Sequence, residues 1–273
     1  YSGDYMAKIM SFVIVIFLLV PIIAPAMGKL ILDSFNWEAI FIFQIIFCLL
    51  IAFWFWKRQE ETLNPKNRID FKIDLFKKGF LELMRFKKTI AYTLISGLIT
   101  GSFMVYLSTS QQIFQEQYGL KEAFPYIFAG LATASGGAIL LNGLFVVKYG
   151  MKKIINVSLI GFFLISVCYA FLFYNSVNPP IIIILSFFSL QFFCLGFLFG
   201  NLRAIAMEPV GHIAGIGAAI TGFISTLMAV PISIVIGKFV RLTVLPIFIG
   251  FSICSFISIL ILIVLTIKAP QNN

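Results

Sequence analysis

The segment LPIFIGFSICSFISILILIVLTI, residues Leu245–Ile267, contains 23 consecutive residues and no charged side chain. An α-helix needs about 20 predominantly apolar residues to cross the hydrocarbon core of a bilayer. Helices are also the only open-chain structures that satisfy their own backbone hydrogen bonds in lipid. The segment therefore predicts a membrane-spanning helix.

Seven further apolar segments of similar length precede it, and mostly short polar stretches separate them. We place the eight spans at residues 6–31, 39–56, 89–113, 125–147, 154–174, 180–205, 214–236 and 245–267. A soluble fold does not require so many segments of this kind in 273 residues. The sequence predicts an all-α integral membrane protein.

The composition agrees with a membrane protein and argues against metal or nucleic-acid binding. Only 11% of the residues are charged, compared with about 25% in soluble domains. The net charge of +9 comes from basic residues that cluster between the apolar segments, so nucleic acid is not an expected partner. The cysteines lie inside predicted spans without metal-ligand spacing, and His212 is the sole histidine, so we expect buried apolar cysteines and no metal site.

The distribution of basic residues predicts the orientation of the spans. Eight spans put both ends of the chain on one side, and most of the 20 Lys and Arg residues lie in the loops of that side. Only Lys29, Lys121, Lys238 and Arg241 lie in the opposite loops. Because cytoplasmic loops carry an excess of Lys and Arg, we expect a cytoplasmic carboxyl terminus.

The longest polar stretch, residues 57–88, divides the chain unevenly. It contains the amphipathic run FKIDLFKK (71–78), which suits a helix on the inner membrane face. A charged linker between two helical bundles is the alternative explanation. The predicted organisation is then two last helices of an N-terminal bundle (1–56), a cytoplasmic basic linker (57–88) and a C-terminal six-helix bundle (89–273).

Four motifs carry a family resemblance. They are PIIAPAMG (21–28), NWEAIF (36–41), QEQYGL (115–120) and AMEPVGHIAG (206–215). In this order they resemble the bicyclomycin-resistance type (Bcr/CflA-like) drug:proton antiporters of the major facilitator superfamily. The resemblance implies the major facilitator fold, with the eight spans as helices five to twelve of an expected twelve.

The sequence departs from the family pattern at two positions. Lys29 stands where the antiporter motif usually has a second glycine, and Val147 occupies the acidic position of the cytoplasmic loop motif between the fourth and fifth spans. The second departure puts a charge-relay latch at that loop in doubt.

The resemblance also implies a function. It indicates a multi-pass secondary transporter of the bacterial inner membrane that exports small amphipathic drugs or toxic compounds in exchange for protons. We expect a monomer embedded in membrane lipid, with a small-molecule substrate, protons as the coupling ion and no bound cofactor. An exporter of a physiological solute, such as a sugar or amino-acid derivative, is the alternative.

Two other protein classes are less favoured by the sequence. An integral-membrane enzyme needs clustered histidines or carboxylates near an interface, and the sequence offers little beyond Glu208 and His212. A channel needs a symmetric oligomer with a pore-lining motif, which the sequence does not show. We therefore predict that the protein is not an enzyme.

The first span carries a predicted bend. Pro21 and Pro25 each remove a backbone donor, and Gly28 follows them in the motif. As the resemblance implies, such a bend helps to seal an antiporter against leak. A packing kink without any role in coupling is the alternative.

The third span carries the best candidates for the wall of a substrate cavity. Gly97 and Gly101 share one helix face, Thr100 adds a hydroxyl, and Tyr106 offers a ring and a hydroxyl. Contact between helices through small residues is the alternative.

Other polar residues are also candidates. Asn142 and Gln191 are lone amides in apolar spans, so each must bond another helix or contact a substrate. Arg203 and Glu208 lie near the inner end of the sixth span and suggest an inner gate, with a solvated pair as the alternative. No acidic residue lies deep in any span, so we expect the proton-coupling groups in helices one to four.

Overall fold

The computed structural model describes residues 20, 23–24, 27–61, 73–175 and 178–267, and these residues form helices and no strand. Residues 27–34 are helical. Eight longer helices follow, namely α1 (Trp37–Arg58), α2 (Ile73–Leu83), α3 (Lys87–Gln111), α4 (Phe124–Tyr149), α5 (Met151–Leu172), α6 (Ile181–Met207), α7 (Ala214–Gly237) and α8 (Leu245–Ile267).

The predicted all-helical membrane fold is confirmed. Six helical segments of the described chain are long and apolar enough to cross a membrane, and one of them, Ile181–Gly237, contains both α6 and α7. Seven of the predicted spans therefore correspond to described helices. The first predicted span, 6–31, lies largely outside the described residues.

The chain divides into two compact units, Tyr1–Leu75 and Phe76–Asn273. In the first unit, α1 begins where the Asn36 side chain accepts a hydrogen bond from the backbone N–H of Ala39. None of the residues of α1 is buried, and its surface is apolar on every side. Such a helix is suited to a lipid environment.

The second unit is a bundle of six long helices with α2 packed at one end. Helix α3 packs on α6, α7 and α8, while α6 also packs on α4 and α5, and α5 packs on α8. Aromatic rings fill the core, where the Tyr169 ring stacks on Phe248 with 3.7 Å between centroids. Cys254 is buried as expected and Cys194 is partly buried, but Cys48 and Cys168 are exposed, so the expectation of buried cysteines is wrong for those two.

Part of the predicted basic linker is helical. The run 73–83 forms α2, in which Gly79 and Leu83 are buried and Lys77 is exposed. A Cβ added at Gly79 would come within 2.5 Å of the Ile216 side chain, so α2 packs directly on α7. The role of residues 57–88 as a connection between two bundles remains a prediction.

Two connections define one end of the bundle, which we call the inner end because the basic residues predict that it is cytoplasmic. Gly150 separates α4 from α5 with a φ of 77°, a conformation that favours glycine. A 3-10 segment, Glu208–Ile213, joins α6 to α7 and contains a non-helical residue at Val210. A change of helix direction is therefore built in beside Pro209.

A set of hydrogen bonds, which we call the outer clasp, joins residues 117–118, 178–179 and 242–244 at the opposite, outer end. The Asn178 side chain donates to the Gln117 side chain at 2.8 Å and accepts from the Val244 N–H at 2.8 Å. The Tyr118 hydroxyl donates to the Pro179 carbonyl at 2.7 Å. Burial raises the pKa of Tyr118 to about 12, so this donor stays protonated at physiological pH.

Candidate functional site

Helices α3 and α7 approach each other closely at the two glycines predicted to line a cavity. A Cβ at Gly101 would lie 3.0 Å from the Ile232 side chain and 3.2 Å from the Ala229 Cα. A Cβ at Gly97 would lie 3.0 Å from the Met228 sulfur. The structure therefore places both glycines in a helix–helix contact, which is the alternative that the sequence left open.

Tyr106 lies in an aromatic cluster between α3, α4 and α6. Its ring is only 1% exposed and meets Phe192 edge-on, with 4.6 Å between centroids. Phe188 and Phe128 pack against the same ring. Among the described residues, the Tyr106 hydroxyl has no hydrogen-bond partner. A buried hydroxyl without a partner is costly, and a role of this atom in binding a solute remains a prediction.

Thr100 occupies the same helix and shares this property. Its hydroxyl oxygen is buried and has no hydrogen-bond partner in the described part of the chain. Thr93, about two turns earlier in α3, also has a buried hydroxyl without a partner among the described residues. Helix α3 thus carries four buried hydroxyls that no described protein group satisfies, at Thr89, Thr93, Thr100 and Tyr106.

The two lone amides bond neighbouring helices. Asn201 in α6 donates to the Asn142 side chain in α4 at 2.6 Å. Gln191 in α6 donates to the Ser166 hydroxyl at 2.5 Å and to the Phe162 carbonyl at 3.2 Å, both in α5. Sequence analysis did not single out Asn201 or Ser166, although Asn201 is itself an amide within an apolar span. A role of Asn142 or Gln191 in substrate binding remains a prediction.

Charged side chains at the inner end pair differently from the expected arrangement. Glu208 pairs with Lys88 at the start of α3, not with Arg203. His212 contacts Glu82 of α2 at 2.5 Å. Because Glu208 and His212 flank Pro209, these contacts join the connection between α6 and α7 to the chain around the start of α3.

Arg203 instead lines a separate cavity of about 240 Å³ between α3, α6 and α7. Thr93 and Ser96 line it from α3, and Thr221 and Ser225 line it from α7. A cavity lined by a guanidinium and by hydroxyl-bearing residues can bind an anionic or hydroxyl-bearing group. Arg203 and Glu208 therefore lie at the same end of the bundle in different environments, and their role as an inner gate remains a prediction.

Of the three residues assigned to the predicted bend of the antiporter motif, the structure describes only Gly28. Pro21 and Pro25 lie outside the described residues. Gly28 is described, and a Cβ at this position would have no neighbour within 4 Å. As for metals, the described residues contain no group of three or more His, Cys, Asp or Glu side chains arranged to hold an ion.

Comparison with known proteins agrees with this architecture. The sequence profile of the Major Facilitator Superfamily matches residues 1–233. The "Bicyclomycin resistance protein homolog" of Haemophilus influenzae is 28% identical over 160 residues, which cover 58% of this chain and 40% of that protein. The "Uncharacterized MFS-type transporter YdgK" of Bacillus subtilis is 24% identical over 243 residues, which cover 87% of this chain and 59% of that protein.

The chain thus matches less than two thirds of the length of either relative. The matches confirm the resemblance to the bicyclomycin-resistance type that the four motifs indicated. With the profile matching most of the sequence and the helices arranged as a multi-pass bundle, the chain belongs to the Major Facilitator Superfamily, a family of membrane transporters.

Proposed function

We propose that the whole protein exports small amphipathic drugs or toxic compounds across the bacterial inner membrane in exchange for protons. The observation that carries this proposal is membership of the superfamily together with similarity to a relative named as a bicyclomycin resistance protein homolog. In such transporters, two bundles rock about a site near the middle of the membrane.

The second unit offers chemistry that suits an amphipathic solute. The aromatic cluster around Tyr106 supplies apolar surface, while the hydroxyls of Tyr106 and Thr100 supply polar groups that lack partners in the described chain. Binding sites for small molecules combine a mostly apolar wall with a few polar groups. In this proposal Tyr106 is the principal solute contact of the chain.

One observation favours the second candidate, export of a sugar or amino-acid derivative. The Arg203 cavity carries a cation and four hydroxyl-bearing residues in about 240 Å³. The guanidinium and the hydroxyls of that lining would suit a hydroxyl-rich or carboxylate-bearing solute. The two candidates therefore differ in the solute and in the residues that would bind it.

Proton coupling in this proposal rests on the family resemblance. The predicted spans contain no deeply placed Asp or Glu, and proton-driven transport needs a group that changes its protonation within the pathway. We place that group in helices one to four of the whole transporter.

The test is transport by the whole protein. Expression in a bacterium lacking its main efflux pumps should raise resistance to bicyclomycin, and a protonophore should abolish the gain. In proteoliposomes, an imposed pH gradient should drive uptake of the labelled drug into the compartment that supplies protons. Resistance unchanged for bicyclomycin and for a panel of amphipathic drugs, combined with pH-driven flux of sugars or amino-acid derivatives, would favour the second candidate. Flux that ignores the pH gradient would contradict both.

A further inference from the structure

A groove opens between α3, α5 and α8 at the inner end of the second unit. Its volume is about 790 Å³. Lys87 and Lys88 from α3 and Lys152 from α5 lie along it, together with the Asn156 amide. Cations from two helices therefore converge on one groove where the chain is predicted to meet the cytoplasmic membrane surface.

The lysines of this region are not equivalent. Lys88 pairs with Glu208, so its charge is partly balanced within the protein. Lys148 and Lys153 each lie 5.2 Å from the centre of the Tyr149 ring and do not line the groove. Lys87 and Lys152 are exposed and line it. Two cationic side chains of the groove are thus accessible to a ligand.

The polarity of the groove changes with depth. Lys152, Asn156 and Ile160 follow each other at intervals of one turn along one face of α5, which begins at the inner end. Helix α8 runs in the opposite direction and contributes Ile263 and then Ile259 with increasing depth. Polar and cationic groups of α3 and α5 therefore line the mouth of the groove, together with Leu265 and Ile267 of α8, and isoleucines line its deeper part.

We propose that this groove binds an anionic phospholipid, such as phosphatidylglycerol. Its phosphate would contact Lys87 and Lys152, and one acyl chain would lie along Ile160, Ile259 and Ile263. Basic pockets between transmembrane helices at the cytoplasmic side are suited to anionic headgroups. The cationic mouth of the groove would face the headgroup of a lipid in the inner leaflet, and its apolar deeper part would face the acyl chains. The site does not depend on which compound is exported.

The test uses the whole protein, purified in detergent, stripped of lipid and titrated with phosphatidylglycerol under native mass spectrometry. The double variant Lys87→Gln/Lys152→Gln should weaken phosphatidylglycerol binding by roughly tenfold or more, since each basic residue near the headgroup contributes measurably to binding. The matched control, Lys148→Gln/Lys153→Gln, removes the same charge at the same end and should leave binding unchanged. Lys87→Arg/Lys152→Arg should retain it.

Three results would overturn the proposal. Equal weakening by the two Gln double variants would indicate general electrostatic attraction, and equal binding of zwitterionic phosphatidylethanolamine would indicate apolar contact alone. Displacement of the lipid by millimolar inorganic phosphate would indicate a site for a free anion. The variant Ile263→Trp, which fills the deeper part without altering charge, should also weaken lipid binding, and full retention would count against the proposed path of the acyl chain. Thermal unfolding of each variant verifies that it is folded.

Discussion

Tyr106 has a buried ring and a hydroxyl without a hydrogen-bond partner in the described chain. If the hydroxyl contacts the exported compound, Tyr106→Phe should raise the KM for hydrogen-bonding substrates by about tenfold, the upper range for one neutral hydrogen bond. It should not lower thermal stability, because it removes a buried polar atom that is unsatisfied. Transport kinetics and thermal unfolding of the whole protein measure the two effects.

Tyr169→Phe is the matched control for that variant. Tyr169 is also 1% exposed, but its ring stacks on Phe248 in the core between α5, α6 and α8. The Tyr169→Phe variant should leave the KM unchanged. Equal effects of the two variants on KM would show that the loss of any buried tyrosine hydroxyl disturbs transport, and the assignment of Tyr106 as a solute contact would then fail.

Gln191 tests whether a polar residue in a span serves to bond another helix. Its side chain is 0% exposed and donates to Ser166 and to the Phe162 carbonyl of α5. Gln191→Leu and Ser166→Ala should each lower the free energy of unfolding, and the double variant should lose less than the sum. We expect a coupling energy of about 0.6 kcal/mol, the average for such bonds between membrane helices. Unfolding in mixed micelles measures the cycle. Strictly additive losses would contradict a direct bond.

At the scale of elements, the approach of α3 to α7 depends on the absence of a side chain at Gly101. Gly101→Ala would bring a Cβ to 3.2 Å from the Ala229 Cα, a backbone atom that cannot move without shifting α7. Overpacking of this kind costs about 1–3 kcal/mol. Thermal unfolding of the whole protein should show the loss.

Gly161→Ala provides the comparison for Gly101→Ala. Its Cβ would meet only the Cys194 sulfur, at an ordinary contact distance of 3.4 Å. This change should be neutral or stabilising, because alanine is favoured over glycine within a helix by about 1 kcal/mol. Equal stability of the two variants would mean that the contact between α3 and α7 tolerates a methyl group.

The outer clasp also holds elements together, through the hydrogen bonds of the Asn178 side chain. Asn178→Ala removes the bonds to Gln117, to the Leu242 carbonyl and from the Val244 N–H, and should destabilise the fold by about 1–3 kcal/mol. Asn178→Asp keeps the acceptor for Val244 while it loses both donors, so its unfolding temperature should lie between the other two. Limited proteolysis near residues 238–244 should accelerate in the same order. An Asp variant as unstable as the Ala variant would show that the acceptor contributes nothing.

Sequence patterns predicted the positions of the spans, because these depend on the local composition of the chain, but they did not predict contacts between distant segments. The beginning of α8 at Leu245 agrees with the predicted span, because an uninterrupted apolar segment of the length needed to cross a bilayer starts there. The partner of Glu208 was not predictable in this way, since Lys88 comes from a segment distant in sequence and only the packing brings them together. For the same reason, Gly97 and Gly101 suggested either a cavity or a helix contact, and only the position of α7 distinguishes the two.

At the scale of the whole molecule, the burial of the helices differs between the two units. Helix α1 contains no buried residue, whereas α3 to α8 share a packed core. Sequence analysis cannot reveal this contrast, because both kinds of helix are apolar and lipid solvates either surface. It does reveal the charge distribution in the loops, from which the orientation of the helices in the membrane is predicted.

That orientation leads to a direct prediction. With its Lys and Arg concentrated in the loops at the inner end, the chain should insert with its carboxyl terminus in the cytoplasm. Green fluorescent protein fused after Asn273 should fluoresce, and alkaline phosphatase fused there should be inactive. Phosphatase inserted after Arg241, in the loop between α7 and α8, should be active because that loop lies at the outer end. The reverse pattern would invert the bundle, and the lysine-lined groove would then face the outer leaflet.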